Sequence, residues 1–407
     1  MLKKINYGWI IVTVCSFVIA MNAIALFGFG VFLKPLTEEF GWDRGDLSSV
    51  FSIAVLIGGI LSLVSGRLSN RFSPRLLMTI AGLSLGTGFM LTSRITELWQ
   101  LYFAFGIPVG ITISCSVIPV NATIPRWFTR GRGIAMAIPA VGFSVGGVIG
   151  PLLVETLIAS YGWQQAFLIL GILPFAITVP LAQFMKQAPE DEGSEENAGT
   201  AGKDSTPVTD KFPVRQILGN RWFWAYGCMQ FTFGFSTQMI IVHIAPYGTD
   251  VGLSPIIAAG ILSFSSAIGI FGNLTAGALA DRMNPRIILT ASFVTLTVSL
   301  VLLLFARNAP MFYIFAFIFG FGRGAVAIIQ TLSAVNLFGV KYFGFYMGAF
   351  LLCGTTGGVV GTPVAGYIFD ASGSYGAAFW MAIAAGGIAV LVSILLLRHK
   401  TQKYDNI

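Results

Sequence analysis

Arg323 is the residue whose type and position carry the most chemistry in this sequence. It stands in the run Phe319–Gly324, about eleven residues into an apolar stretch over roughly 311–336. A helical rise of about 1.5 Å per residue places it about 16 Å deep in that stretch, where an uncompensated charge is costly. A guanidinium matches a carboxylate with two hydrogen bonds and keeps its charge. We interpret Arg323 as a carboxylate-binding cation or, alternatively, as a structural arginine bound to backbone carbonyls.

Other polar side chains interrupt the apolar stretches and are candidates for the same site. Amides can orient a carboxylate, although they also join helices through hydrogen bonds of about 0.6 kcal/mol. We expect Asn22, Gln230 and Asn273 to line a binding site. His243 titrates near neutral pH, which makes it a candidate for substrate binding or proton coupling, with a hydrogen-bonded interfacial role as the alternative. Glu155, the one acid well inside an apolar stretch, is either a proton site or an interfacial carboxylate.

Patterns typical of enzymes do not accompany these side chains. The sequence has no phosphate-binding Gly-x-x-x-x-Gly-Lys segment, no histidine–glutamate metal cluster and no serine–histidine–aspartate set. It also has no basic segment in polar surroundings of the kind that binds nucleic acid. The sequence therefore predicts no enzymatic activity, no cofactor, no metal and no nucleic-acid partner.

The composition indicates a helical membrane protein with the lipid bilayer as its solvent. Of 407 residues, 55% are hydrophobic and only 10% are charged, whereas soluble proteins carry about 25% charged residues. A helix that crosses a bilayer needs about 20 apolar residues. Twelve stretches meet this need, over roughly 8–34, 46–69, 75–93, 98–122, 132–157, 165–185, 221–244, 254–279, 286–306, 311–336, 342–368 and 376–397.

The distribution of lysine and arginine orients these spans. Cytoplasmic loops carry an excess of positive residues. With the N-terminus in the cytoplasm, nineteen of the 24 Lys and Arg residues fall on that side and four on the other. An even number of spans places both termini together. We therefore predict a multi-pass protein of the bacterial cytoplasmic (inner) membrane with both termini in the cytoplasm.

The chain divides into two halves of similar size. One long polar segment, rich in Glu, Gly, Ser and Thr, separates spans six and seven and has the composition of a linker. We predict an N-terminal six-helix bundle over 1–186, a cytoplasmic linker over 187–218 and a C-terminal six-helix bundle over 219–407.

The two halves also repeat each other. The segment 66–75 recurs as 277–286, and 146–150 recurs as 357–361, in both cases 211 positions later. Parallel repeats of this kind are a transporter architecture, with the substrate site between the repeats near the bilayer midplane.

The repeated loop, Gly-x-Leu-Ser/Ala-Asn/Asp-Arg-x-x-Pro-Arg, resembles the signature loop of the major facilitator superfamily. The resemblance extends over nearly the whole chain. It implies an all-α membrane protein with twelve transmembrane helices in two pseudo-symmetric six-helix bundles. It also implies a monomeric secondary transporter that works by alternating access.

Shorter motifs resemble the branch of bacterial monocarboxylate transporters and oxalate/formate antiporters. They are Tyr7-Gly8-Trp9 at the first span, Arg126-Trp127-Phe128 before the fifth, and His243 to Tyr247 at the end of the seventh. This likeness implies transport of a small carboxylate such as lactate or pyruvate, with proton symport, exchange and facilitated diffusion all open. The alternatives are a facilitator of another substrate, such as a drug exporter, and a receptor or scaffold that does not transport.

The sequence departs from this branch at its charged residues. The branch often carries an arginine in span eight, where Asn273 stands here. Animal monocarboxylate transporters have a lysine in span one, which aligns with Phe27, and an aspartate in span eight, where no acid precedes Asp281. Arg323 is therefore the candidate to replace the missing anion-binding arginine.

The signature loops are predicted to be gating elements. In the family, the loop aspartate faces the N-terminus of a helix in the other half, where a carboxylate is favoured. Asp281, followed by Arg282, would face the start of span five, next to Arg130; the first copy, Asn70-Arg71, lacks the acidic charge. We therefore predict that Asp281→Asn shifts the inward/outward population more than Asn70→Ala, measured by spin-label distances across the cytoplasmic side. Equal shifts would contradict this asymmetry.

Overall fold

The computed structural model describes residues 2–68, 72–128, 132–186, 217–280, 282–339 and 343–398. This part of the chain is almost entirely helical. The predicted linker lies outside the described residues except at its end, where Ile217 and Leu218 are helical. Ile217 is buried in the C-terminal hydrophobic core.

The described chain forms twelve successive helical segments of membrane-spanning length. In the first half these are α1 (Leu2–Phe40), α2 (Arg44–Leu68), α3 (Pro74–Thr92), α4 (98–127, with a π-helical turn at Tyr102–Gly106), α5 (132–161) and α6 (163–182, with a π-helical turn at Pro174–Thr178). In the second half they are α7 (Arg221–Asp250), α8 (Pro255–Ala280), α9 (Pro285–Phe305), α10 (Ala309–Phe338), α11 (Phe343–Ser372) and α12 (Gly376–Arg398).

Ten helices in the described chain are long and apolar enough to cross a membrane. One of them, Ile134–Ala182, has 49 residues and contains both α5 and α6. The helix α7 is not among the ten, and it carries buried polar residues such as Gln230, Thr232, Ser236 and His243. Each of the twelve predicted spans corresponds to one of α1–α12, and the predicted all-α fold class is confirmed.

The connection between α5 and α6 is shorter than the sequence indicates. We expected a loop between the spans 132–157 and 165–185, but helical structure continues up to a break at Gly162. Gly162 has φ 80° and ψ 166°, a conformation that glycine adopts without the steric cost of a Cβ. A single glycine therefore ends one span and starts the next.

The repeated loop has a local structural role at the start of α3 and α9. The Ser73 side chain accepts a hydrogen bond from the Leu76 N–H, and the Asn284 side chain accepts one from the Arg286 N–H. Both caps satisfy amides that have no partner inside the helix. A proline follows each cap, at a helix position where a missing N–H costs nothing. The repeat therefore builds a helix start with a side-chain cap and a proline in each half.

Glycines allow close contact between the two halves on the side opposite the chain termini. A Cβ on Gly366 of α11 would lie 2.5 Å from the Cα of Gly45 on α2. A Cβ on Gly30 of α1 would likewise collide with the carbonyl of Val242 on α7. Larger residues at these positions would hold the halves apart.

Candidate functional site

Arg323 projects from α10 past α8 toward the N-terminal half. A Cβ built on Gly269 of α8 would lie 3.5 Å from Nη2 of Arg323. The Cζ atom of Arg323 lies 5.5 Å from the ring centroid of Phe27 on α1, within the range of a cation–π contact. Gly269 therefore leaves space for a guanidinium that reaches the contact between the two halves.

The guanidinium of Arg323 forms no hydrogen bond or ion pair with any other residue that the structure describes, and its Nε is buried. Arginine in the middle of a membrane helix normally pairs with an acid or with carbonyls. The structural alternative for Arg323 requires such carbonyl contacts, and the described part of the chain shows none. This geometry leaves the five N–H donors available for an anion.

In the described chain, buried hydroxyl and amide groups without hydrogen-bond partners lie on α8, the helix that Arg323 passes at Gly269. Within the described residues, Oγ of Ser263, Ser265 and Ser266 and Oδ1 of Asn273 have no hydrogen-bond partner. Ser266 faces the N-terminal half, because a Cβ on Gly147 of α5 would lie 3.0 Å from its Oγ. Asn273 is two turns further along the same face of α8. These groups can donate to and accept from a polar ligand.

Gln230 lies on α7, beside the face of α10 that carries Arg323 and Gln330. Its Nε2 donates to Oε1 of Gln330 at 2.7 Å, and the Tyr226 hydroxyl donates to the Gln330 carbonyl at 2.5 Å. Gln330 is two turns from Arg323 along α10, and so on the same face. Oε1 of Gln230 is buried without a partner among the described residues. Arg323, Asn273 and Gln230 thus belong to adjoining helices of the C-terminal half.

Asn22 lies elsewhere, inside the N-terminal half. Its Nδ2 donates to Oγ of Ser116 on α4 at 3.1 Å, and the residue is only 2% exposed. This contact matches the helix-joining role of an amide, although Oδ1 has no partner in the described chain. Asn22 as a lining residue remains a prediction.

Charged and polar residues join the two halves at what we call the outer seam: Arg44, His243, Asp250, Asp370 and Tyr375. The outer seam lies opposite the chain termini, on the side predicted to be outside. Arg44, at the start of α2, binds Asp250 with both terminal nitrogens, Nη1 to Oδ2 at 2.5 Å and Nη2 to Oδ1 at 3.0 Å. Nη1 also donates to the Tyr375 hydroxyl at 3.0 Å. One arginine of the N-terminal half therefore binds two residues of the C-terminal half.

Asp370 of α11 caps the N-terminus of α2 from the opposite half. Its carboxylate accepts hydrogen bonds from the backbone N–H of Arg44 at 3.0 Å and of Gly45 at 2.7 Å. These amides have no partner inside their own helix, and a carboxylate at this position gains typically about 0.3–1 kcal/mol. We predicted this attraction for Asp281 on the other side of the membrane; the structure shows it here for Asp370.

His243 lies in the outer seam and is fully buried. Its Nε2 is 2.8 Å from the carbonyl of Thr362, which can only accept, so Nε2 carries a proton. Its Nδ1 is 3.0 Å from the Tyr375 hydroxyl, which donates to Nδ1 while accepting from Arg44. Burial raises the pKa of Tyr375 far above its usual range, so the hydroxyl keeps this proton. The geometry matches the hydrogen-bonded alternative for His243; substrate binding by His243 remains a prediction.

The predicted cytoplasmic gate lies largely outside the described residues. Asn70, Arg71, Arg130 and Asp281 are not described, and Arg282 is exposed beyond the end of α8. In the described part of the chain, the hydrogen bonds and ion pairs between the two halves lie at the outer end of the helices. The protein is therefore closed on the side opposite its termini.

Sequence reasoning missed most of the outer seam. We counted Arg44 only as a charge in an outer loop, although it is 6% exposed. Its partners Asp250 and Tyr375 are 206 and 331 positions away, and no local pattern connects residues at such separations.

Two helical halves that meet at a closed outer seam, with an arginine near their contact that has no hydrogen-bond or ion-pair partner among the described residues, have the architecture of a membrane transporter. Residues 15–286 and 269–406 match the sequence profile of the Major Facilitator Superfamily. The chain belongs to this superfamily, whose members are transporters and not enzymes.

Known proteins resemble the chain over nearly its whole length. Monocarboxylate transporter 12 of Mus musculus is 25% identical over 425 residues, covering 96% of this chain and 85% of that protein. Agnestins efflux protein AgnL12 of Paecilomyces divaricatus is 26% identical and covers 95% and 86%. A crystal structure of a bacterial homologue of the human lysosomal transporter Spinster, inward-facing and occupied, has a TM-score of 0.77 at 15% identity, covering 96% of this chain and 97% of that one.

Proposed function

We propose that this protein moves a small organic anion, a monocarboxylate such as lactate or pyruvate, across the membrane by alternating access. The observation that carries the proposal is the guanidinium of Arg323 at the contact between the two halves, which has no hydrogen-bond or ion-pair partner among the described residues. The similarity to proteins named monocarboxylate transporters gives independent support.

The chemistry of the site suits a short carboxylate. Arg323 offers two parallel N–H donors to its two oxygens, and Ser266 and Asn273 offer further polar groups for a hydroxyl or keto substituent. The ring of Phe27 provides an apolar surface for the hydrocarbon part. Because Phe27 and Arg323 belong to different halves, the bound substrate contacts both, and binding is coupled to their relative position.

Alternating access requires a substrate site and a barrier that opens and closes, and the outer seam supplies the barrier on one side. With the seam closed, its contacts join the two halves on the outer side, and transport requires the contacts of Arg44 to break and re-form. We assign the protein to the bacterial cytoplasmic membrane as a monomer with cytoplasmic termini. Proton symport and exchange against a second carboxylate are the two coupling modes to be distinguished.

Flux into proteoliposomes tests the proposal. We expect the purified protein to take up labelled L-lactate or pyruvate. Uptake should be accelerated by an inward proton gradient if transport is symport, and by internal carboxylate if it is exchange. Liposomes without protein are the control. The absence of carboxylate uptake with a gradient, without one and on counterflow would overturn the proposal.

Export of a different small molecule is the second candidate function, because one similar protein is named an efflux protein. It predicts that cells expressing the protein lose a bulkier organic compound faster than cells without it, while carboxylate flux is unchanged. The same proteoliposomes, loaded with candidate compounds, separate the two functions.

A further inference from the structure

A cavity of about 290 Å³ lies between the two halves beside the outer seam. We call it the seam cavity; α1 and α5 line it from one half and α7 and α8 from the other. Its charged lining residues are Lys34, Glu38 and Glu155, with a net charge of −1. Most of the remaining lining is valine, proline, isoleucine and alanine. The cavity is therefore apolar with an excess of negative charge.

Glu155 is a buried carboxylate of this cavity without a partner among the described residues. It is 8% exposed, and it forms no hydrogen bond or ion pair with another described residue. It lies seven residues before Gly162, hence about 10 Å from the outer end of α5. A carboxylate at such a depth is unfavourable unless a donor or cation accompanies it. Lys34, by contrast, already has a partner, since its Nζ is 3.7 Å from Asp250.

We propose that the seam cavity binds an organic ammonium ion, with Glu155 as its counter-ion. The ammonium neutralises the excess charge and donates hydrogen bonds to the carboxylate, while the apolar walls bury the hydrocarbon part. A metal ion does not suit the site. Ca²⁺ takes six to eight oxygen ligands, but the lining side chains offer only two carboxylates and the hydroxyl of Thr249.

Binding in the seam cavity has a conformational consequence. The ligand contacts α1 and α5 of one half and α7 and α8 of the other. It therefore binds the closed seam more tightly than the open one, and it raises the population of the closed state. This effect is independent of the identity of the transported substrate.

Calorimetric titration of the full-length protein in detergent tests the proposal with defined probes. Phenethylammonium chloride should bind at one site per chain, whereas the neutral 2-phenylethanol should not. In a series of alkylammonium ions, each added methylene should tighten binding about four-fold until the cavity is full. Glu155→Gln should weaken binding at least ten-fold. The matched control is Glu39→Gln, because Glu39 is exposed on α1 and does not line the cavity.

A second variant and a competition experiment with phospholipids complete the test. Ile158→Trp narrows the cavity without changing its charge and should also weaken binding. This variant keeps the proposal testable if Glu155→Gln fails to fold. Competition by phosphatidylethanolamine in nanodiscs, but not by phosphatidylcholine, identifies a lipid headgroup as the source of the ammonium; no competition identifies a soluble amine. No ammonium binding by the wild type, or unchanged binding by both cavity variants, overturns the proposal.

Discussion

Replacing Arg323 with glutamine is expected to reduce carboxylate uptake by at least about a hundred-fold. The substitution removes two charge-assisted hydrogen bonds to the substrate, each worth about 1.5–3 kcal/mol, while a neutral amide keeps a similar shape. Arg323→Lys keeps the charge but loses the planar fork, so we expect it to retain about a tenth of the activity. Initial uptake rates in proteoliposomes give the measurement.

The thermal stability of the same variant separates a substrate-binding arginine from a structural one. Because Arg323 has no hydrogen-bond or ion-pair partner among the described residues, its removal takes a charge without a counter-ion out of the membrane interior. We expect the unfolding midpoint of Arg323→Gln to equal or exceed that of the wild type. Arg94→Gln, at an exposed arginine, is the control for general charge effects. A large loss of stability, or uptake equal to that of the wild type, would argue against the anion-binding role.

Breaking the pair of Arg44 and Asp250 is expected to open the outer seam. Removing one partner of a fully buried pair costs about 3–5 kcal/mol. Here the side chains are 7% and 23% exposed, and solvent screening lowers the expected cost to about 1–2 kcal/mol. This cost shifts the ratio of closed to open molecules about five- to thirty-fold. Asp250→Asn should therefore populate an open outer seam.

Spin-label distances across the seam measure this shift. Labels at the exposed positions Glu39 and Ala371 belong to different halves, and a version of the chain without its four cysteines accepts them. Asp250→Asn should add a population at longer distance. The matched control Asp43→Asn changes an exposed acid next to Arg44 and should leave the distances unchanged. An identical distribution in Asp250→Asn and the wild type would show that the pair does not hold the seam.

The double variant Arg44→Gln/Asp250→Asn adds a further test of the same pair. When both charges are removed, neither is left unpaired, so the double variant should open the seam less than the sum of the single variants. Additive effects would indicate that Arg44 acts mainly through Tyr375.

The local pattern of the sequence determined the helices and their starts. The apolar length of each stretch predicted twelve spans, because a bilayer requires every backbone group to be satisfied inside a helix. The repeated loop predicted two equivalent halves, and its Ser73-Pro74 and Asn284-Pro285 pairs are the caps of α3 and α9. The depth of Arg323 followed from its position along the chain alone. These properties depend on neighbours within a few residues, which the sequence displays directly.

Only the tertiary structure decided which polar side chains meet. It directed Arg323 toward Phe27, and it turned Asn22 toward Ser116. It also joined Arg44 to Asp250 across 206 positions. Such contacts depend on how the helices pack within each half and between the halves, where a rotation of one helix by a fraction of a turn exchanges one partner for another. The sequence by itself thus determined the fold and the depth of the candidate arginine, while the packing of the halves decided its surroundings and the seam that closes the protein.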